Sequence, residues 1–298
     1  MLAIQPTDNS QKLSLTSTLP DFIREGLNNC FTLPTLPSAA IKVLDVARSP
    51  NASVKAYAEA IQTDPILTIR LLALANSAYY ARSAPTIHTC QEAVARVGLD
   101  TTLATTLSFN LFKHKDQAAY LQQVWSRSLI AAIAARYMAE QLCPGEAGFV
   151  FTAALLQDIG VLALKALYPD DVEAIYEPLP THHSDLSHSE QLLFGCDHAT
   201  VGAWLAAKWG VPTNLAEAIG TSHADYASAP IDLFCVRLSG HIADAWLAPS
   251  PAHSLVSVMR KLKSHTKAQQ IELAALLSTI EKQLPSLADV LARISHRV

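Results

Sequence analysis

Helix starts and stops recur along almost the whole chain, while the period-two alternation of apolar and polar residues that a half-buried strand needs is nearly absent. Thr89-Cys90-Gln91-Glu92 is a capping box, in which the threonine and glutamate side chains satisfy exposed N–H groups at a helix start, and Gly98 follows as a stop. Asp64-Pro65 places a cap and a first-turn proline ahead of ILTIRLLALANS. Ser38 caps a helix with Ile41, Leu44 and Ala47 on one face, Asp100 opens another, and Pro144-Gly145 ends a long pattern over about 118–142. Further helices are expected near 147–157, 170–177, 186–194, 197–209, 214–220 and 231–247. Beyond a break at 249–251, SLVSVMRKLKS, AQQIELAALLSTIEKQL and LADVLARI continue the pattern as separate helical segments. The expected fold is all-α and two-lobed. A polar hinge at 113–117 divides an amino-terminal lobe (20–115) from a second lobe (116–250), and 251–298 forms a helical extension.

Composition narrows the function classes. Half of the 298 residues are hydrophobic (50%) and 16% are charged, which leaves ample material for a buried core. A formal net charge of −4, with no long Lys/Arg cluster to neutralise a row of phosphates, argues against a nucleic-acid partner. The mean hydropathy of +0.20 comes from alanine- and leucine-rich helices. The apolar runs are broken before the roughly 18 to 20 residues that span a bilayer, so no membrane association is expected. The first residues, MLAIQPTDNSQKLSL, lack a basic segment followed by a continuous apolar stretch, which predicts a cytoplasmic protein. Cys30, Cys90, Cys143, Cys196 and Cys235 are odd in number and form no CxxC pair, a pattern of reduced thiols rather than disulfides or a zinc knot.

The chemistry concentrates at FTAALLQDIG, residues 151–160. An adjacent His and Asp at the end of such an apolar helix can converge on a divalent cation, because imidazole offers a neutral nitrogen and carboxylate a hard, charged oxygen. Here Gln157 precedes Asp158, and an amide brings neither charge nor imidazole nitrogen. The plainer reading is that the pair is the polar end of a buried helix. Asp197 and His198 carry two readings as well, helix initiation or residual metal binding. His182, His183 and His188 fall in THHSDLSH, read as a polar connection, where exposed loop histidines are the ordinary explanation. Asn76, Ser77, Tyr79 and Tyr80 close a helix and suit capping or a small polar cleft, and Trp204 and Trp209 suit packing.

Read together, these segments resemble the HDOD family, the HD-related output domains of bacterial signalling proteins. The resemblance covers about 20–247. In the first half it rests on LPTLPSAAIKVLDVA, IQTDPILTIRLLALANSAYY and AVARVGLD; in the second, on VWSRSLIAA, FTAALLQDIGVLAL, EQLLFGCDHATVGAWLAAKWGVP, AIGTSH and HIADAW. Enzymatic relatives in the HD superfamily place metal-binding His or Asp residues at these second-half motifs. By that resemblance Arg127 stands at the first His and Gln157 at the His of the doublet, while Asp158 is kept. His198 matches the next His, Ser222-His223 stands where related cyclic-dinucleotide phosphodiesterases carry two histidines, and Asp244 matches the last carboxylate.

A guanidinium cannot donate a lone pair to a cation, so Arg127 implies a pocket without metal or other cofactor. Either Arg127 neutralises the old ligand carboxylates, or it holds a small anionic ligand, a phosphate or carboxylate, in the same cleft. The implied function is a non-catalytic regulatory module that binds a signalling or regulatory protein, with the extension a candidate partner surface. The alternative is a metal-dependent phosphohydrolase acting on a nucleotide or cyclic dinucleotide, with Asp158, His198, His223 and Asp244 around one ion.

Overall fold

The computed structural model describes residues 19–30, 38–81, 84–111, 119–177, 183–248 and 251–295; the hinge at 113–117, His182 and Pro249 lie outside the described residues. Among the described residues every regular element is helical, as the recurrent caps require. The first helices are α1 (Asp21–Asn29), α2 (Ser38–Ala47), α3 (Val54–Gln62), α4 (Pro65–Ala75), α5 (Ala78–Ala81), α6 (Cys90–Val97) and α7 (Leu99–Leu111). Asp64 Oδ1 accepts from the Leu67 N–H at 3.1 Å at the start of α4. Thr89 and Glu92 form both halves of the capping box on α6, and Gly98 stops it at φ 89°, where a Cβ would be strained. α7 starts at Leu99 rather than at Asp100, because the Thr102 N–H already reaches back to the Gly98 carbonyl. After α4, the Asn76 side chain accepts from the Ile87 N–H and donates to its carbonyl (2.9 and 2.8 Å), holding the following loop as a strand neighbour would.

The second half is built on α8 (Ala119–Leu142), which packs against α9 (Ala147–Leu156), α15 (Ile231–Leu247) and α17 (Leu273–Ser295). Residues 129–135 of α8 are buried without interruption, and four of them are alanines, so neighbouring helices approach it from several sides. Between α9 and α15 lie α10 (Gly160–Leu167), α11 (Pro169–Tyr176), α12 (His183–Phe194), α13 (His198–Trp209) and α14 (Thr213–Gly220), and α16 (Pro251–Ser264) follows α15. α12 begins earlier than expected, so His183 and His188 belong to a helix and not to a polar connection; Asp185 sits in its first turn, where a carboxylate favours helix initiation.

Two further expectations change. α17 runs through Pro285 as one helix instead of breaking into two segments. The lost backbone bond of a proline is outweighed because the same helix buries Leu276 and Ile280 against the interior. Residues 144–167, contrary to the sequence expectation, are long and apolar enough to cross a membrane, but 78% of the most apolar window is buried and the helix turns at Gln157-Asp158.

The apolar interior forms two clusters. One runs from Ala39 through α8, α9 and α15 and takes in Val258, Leu262, Leu276 and Ile280 of the last helices. The other joins Ile23 and Leu27 of α1 to Tyr120, Leu164, Trp204 and Leu205.

One backbone approach fixes the polar centre between them. A Cβ on Gly160 would lie 1.9 Å from the His198 carbonyl oxygen and 2.6 Å from the Gly202 nitrogen, so α10 and α13 meet here backbone to backbone. That contact sets His198 beside Asp158, two residues before Gly160. Gly160→Ala therefore has no compliant side chain to push aside, and we expect a loss of roughly 2 kcal/mol or more in urea unfolding, whereas Gly145→Ala, in open space on the surface, should stay within about 0.5 kcal/mol.

Candidate functional site

Arg127 enters the centre from the middle of α8, Asp158 from the turn after α9, and Asp244 from α15. Arg127 Nη1 donates to both Asp158 oxygens at 2.8 and 2.6 Å, and its Nε donates to Asp244 Oδ1 at 2.8 Å. The Arg127 side chain is 8% exposed, Asp158 1% and Asp244 14%. Ser128 adds a hydroxyl donor to Asp158 Oδ2 at 3.4 Å. Burial works against the guanidinium charge, but Asp158 and Asp244 outweigh it and raise its pKa above the ordinary value. The fork fits because residue 240 is glycine: a Cβ there would stand 2.7 Å from Arg127 Nη2 and 3.6 Å from Gln157 Oε1.

A second pair abuts the first. His198 Nδ1 lies 2.6 Å from Glu190 Oε2, its Nε2 lies 3.6 Å from Asp158 Oδ1, and its backbone N–H donates to Glu190 Oε2 at 2.9 Å. Tyr176 Oη donates to the other Glu190 oxygen at 2.7 Å. Burial pushes the His198 imidazole down, but Glu190 and Asp158 reverse that and raise its pKa to about 10. It is therefore an imidazolium at neutral pH. Arg127 and His198 form a cationic pair set among Asp158, Asp244 and Glu190, an ionic network that is mostly buried, with Asp244 at its partly exposed edge.

The remaining sequence-derived residues lie around this network in different states. His223 meets the His198 ring edge-on with centroids 4.7 Å apart, but its Nδ1 is directed to Asp197 Oδ2 at 2.7 Å, and Ser187 Oγ lies 3.1 Å from the same carboxylate oxygen. Asp197 also caps α13, its Oδ1 accepting from the Thr200 N–H at 2.9 Å. Burial raises the Asp197 pKa, yet the hydrogen bond and charge of His223 hold it well below the usual carboxylate range. Gln157 Nε2 and Ser222 Oγ are buried and have no hydrogen-bond partner among the described residues. Asn76 and Ser77 serve backbone closure, with Ser77 Oγ donating to the Leu74 carbonyl at 2.6 Å.

Glu190 is the residue that the sequence reading missed. Its signal is spacing: Leu186, Glu190 and Phe194 recur every four residues on one face of α12, and all three are buried. A carboxylate on an apolar helix face demands a cationic or hydrogen-bonding partner.

A divalent cation does not fit this arrangement. Both Asp158 oxygens face one guanidinium nitrogen, and among the described residues no three His, Cys, Asp or Glu side chains converge in a metal-holding group.

Comparison with known proteins agrees with this layout of helices. The HDOD domain profile matches residues 33–225. A crystal structure from Shewanella amazonensis SB2B, named provisionally as a phosphohydrolase, superposes with a TM-score of 0.67 at 23% identity, covering 92% of this chain and 97% of that one. An HDOD domain protein of unknown function from Geobacter sulfurreducens gives 0.65 at 22% identity over 97% and 99% of the two chains. A Marinobacter aquaeolei VT8 protein named provisionally for signal transduction gives 0.65 at 18% identity over 97% of this chain and 67% of that one. No curated protein matches. At these identities the likeness is one of fold.

Two measurements test the network. Removing Arg127 leaves carboxylates buried without their counter-charge, so Arg127→Ala should lose about 3 to 5 kcal/mol in urea unfolding, and the Arg127→Ala/Asp158→Asn double variant should lose clearly less than the sum of the singles. Strict additivity would contradict the pairing. The raised pKa of His198 contributes stability that is complete below its ordinary value of 6.5 and is lost as pH rises through about 10. Thermal unfolding from pH 6 to pH 10 should therefore show a fall in stability that is much reduced in His198→Gln.

Proposed function

This chain belongs to the HDOD family, and from that premise we propose that it is a non-catalytic signal-transduction module that acts by binding a signalling or regulatory protein. The observation that carries the reading is the Arg127 fork, which bonds Asp158 and Asp244 together in the interior of a fold whose enzymatic relatives use such carboxylates as metal ligands.

A catalytic HD site needs its carboxylates free to hold a cation that lowers the pKa of a bound water and neutralises developing charge on phosphorus. Here a permanent cation carried by α8 supplies the neutralisation, and it offers neither a bound water nor an open coordination position. Chemistry is replaced by cohesion: α8, the α9 turn and α15 are tied at one point, and α13 is tied to the same point through His198. A network of this kind gives the helices one preferred arrangement, so that displacement of one is felt by the others. That is what a relay requires. The helical segment after residue 250 remains a candidate surface for the partner, although Val258, Leu262, Leu276 and Ile280 are consumed by the core.

The test is hydrolysis. Full-length protein incubated with a phosphomonoester, a nucleotide and a cyclic dinucleotide, in the presence of manganese, iron or nickel, should stay at the no-protein background. Turnover that disappears on Asp158→Ala would overturn this reading in favour of a metal-dependent phosphohydrolase.

A further inference from the structure

Every one of the chain's 26 Asp and Glu residues lies outside the stretch 245–271, which holds Arg260, Lys261, Lys263 and Lys267. A protein of net charge −4 therefore carries a locally cationic segment, made of α16 and the short 3₁₀ turn Thr266–Gln270 that follows it. The helix has two unlike sides. Val258 and Leu262 are buried and hold it to the core beside α15, and Lys261 also turns inward, its Nζ 5.1 Å from the Tyr226 ring centroid. On the other side Ala252, Val256, Met259 and Lys263 follow one another at spacings of four, three and four, and all are exposed. Such spacing keeps residues on one stripe, the pattern by which one helix packs along another. Val256 is 50% and Met259 41% exposed. Arg260 flanks the stripe, and Lys267 lies just beyond its end.

We propose that the outer face of α16 docks an acidic amphipathic helix of another protein, whose apolar stripe covers Val256 and Met259 and whose flanking carboxylates pair with Arg260, Lys263 and Lys267. This rests on the regulatory reading above and adds where the partner sits and what its surface is made of.

Charge complementarity selects the occupant. Surface cations elsewhere are balanced within their own helices, Arg24 by Asp21, Arg48 by Asp45 and Lys55 by Glu59, whereas Arg260, Lys263 and Lys267 have no carboxylate partner among the described residues. A second copy could not pack α16 on α16 without setting these cations against one another. A bilayer needs a broad apolar face to enter, and the apolar face of α16 is already spent on the core. An acidic helix satisfies both properties of the surface at once, because apolar contact excludes water along the stripe while the flanking charges fix register and orientation. The flexible thioether of Met259 lets that contact adapt to the partner's side chains. α16 rests on α15, the helix that carries Asp244, so a docked partner loads the ionic network from outside.

The probe is a fluorescein-labelled synthetic helix of about 18 residues, with leucines at every third and fourth position and glutamates on either side of them, titrated with the full-length protein by anisotropy. Saturable binding is expected, weakening about tenfold between about 0.05 and 0.3 M sodium chloride. Arg260→Glu/Lys263→Glu should weaken it by about tenfold or more, and Val256→Ala/Met259→Ala by about fivefold. Lys42→Glu/Lys55→Glu makes the same change in net charge on exposed positions of other helices and should stay within about twofold of the unaltered protein. A peptide with lysines in place of the glutamates should not bind. All these substitutions are on the surface, so melting temperatures should move by no more than about 2 °C. Failure of the glutamate peptide to bind, or equal binding by Arg260→Glu/Lys263→Glu, would overturn the proposal. So would binding to phosphatidylcholine vesicles with about 30% phosphatidylserine in preference to the peptide, or a dimer in sedimentation that Arg260→Glu/Lys263→Glu dissolves. Hydrolysis measured on the same preparations separates the two readings. Peptide binding together with Asp158-dependent turnover overturns the non-catalytic reading and leaves the surface standing, whereas no binding with background hydrolysis overturns the surface alone.

Discussion

A guanidinium shared by two carboxylates in the protein interior organises this molecule. Each of these charges would be expensive to bury alone, and together they tolerate burial only if the donors and acceptors match in direction as well as in sign. Arg127 meets that condition because its planar fork can face Asp158 with one nitrogen and Asp244 with another. Lysine, a single point charge, could not span both with the same geometry.

The surrounding fold is arranged to deliver those groups. An alanine-rich α8 lets α9 and α15 come close, Gly240 leaves room for the guanidinium, and Gly160 lets α13 bring His198 against Asp158. Glu190 then balances the imidazolium from the far side and is itself held by Tyr176. The network therefore reaches from α8 to α12 through directed bonds, while the two apolar clusters around it supply most of the burial. Stability comes mainly from the clusters, and the unique alignment of helices comes from the polar centre.

Much of the fold was legible in the chain because capping is local chemistry. The Thr89–Glu92 box, the Asp64 cap and the Gly98 stop involve residues only a few positions apart, and their geometry follows from backbone rules alone. Where local rules misled, a distant contact had intervened: α17 passes through Pro285 because its buried face holds it. The positions of Arg127, Asp158, His198 and Asp244 could be named from motif order, but not how their charges are divided among partners.

The sequence by itself determined an all-helical chain and, with Gln157 ahead of Asp158, an apolar helix end without a His-Asp doublet. Only the tertiary structure decided that Arg127 bonds two carboxylates at once, that His223 turns to Asp197 instead of Asp158, and that Glu190 holds His198 as a cation. The reason is physical. Helix formation depends on neighbours within one turn, whereas the protonation and pairing of buried groups depend on burial and on charges carried by elements distant in sequence.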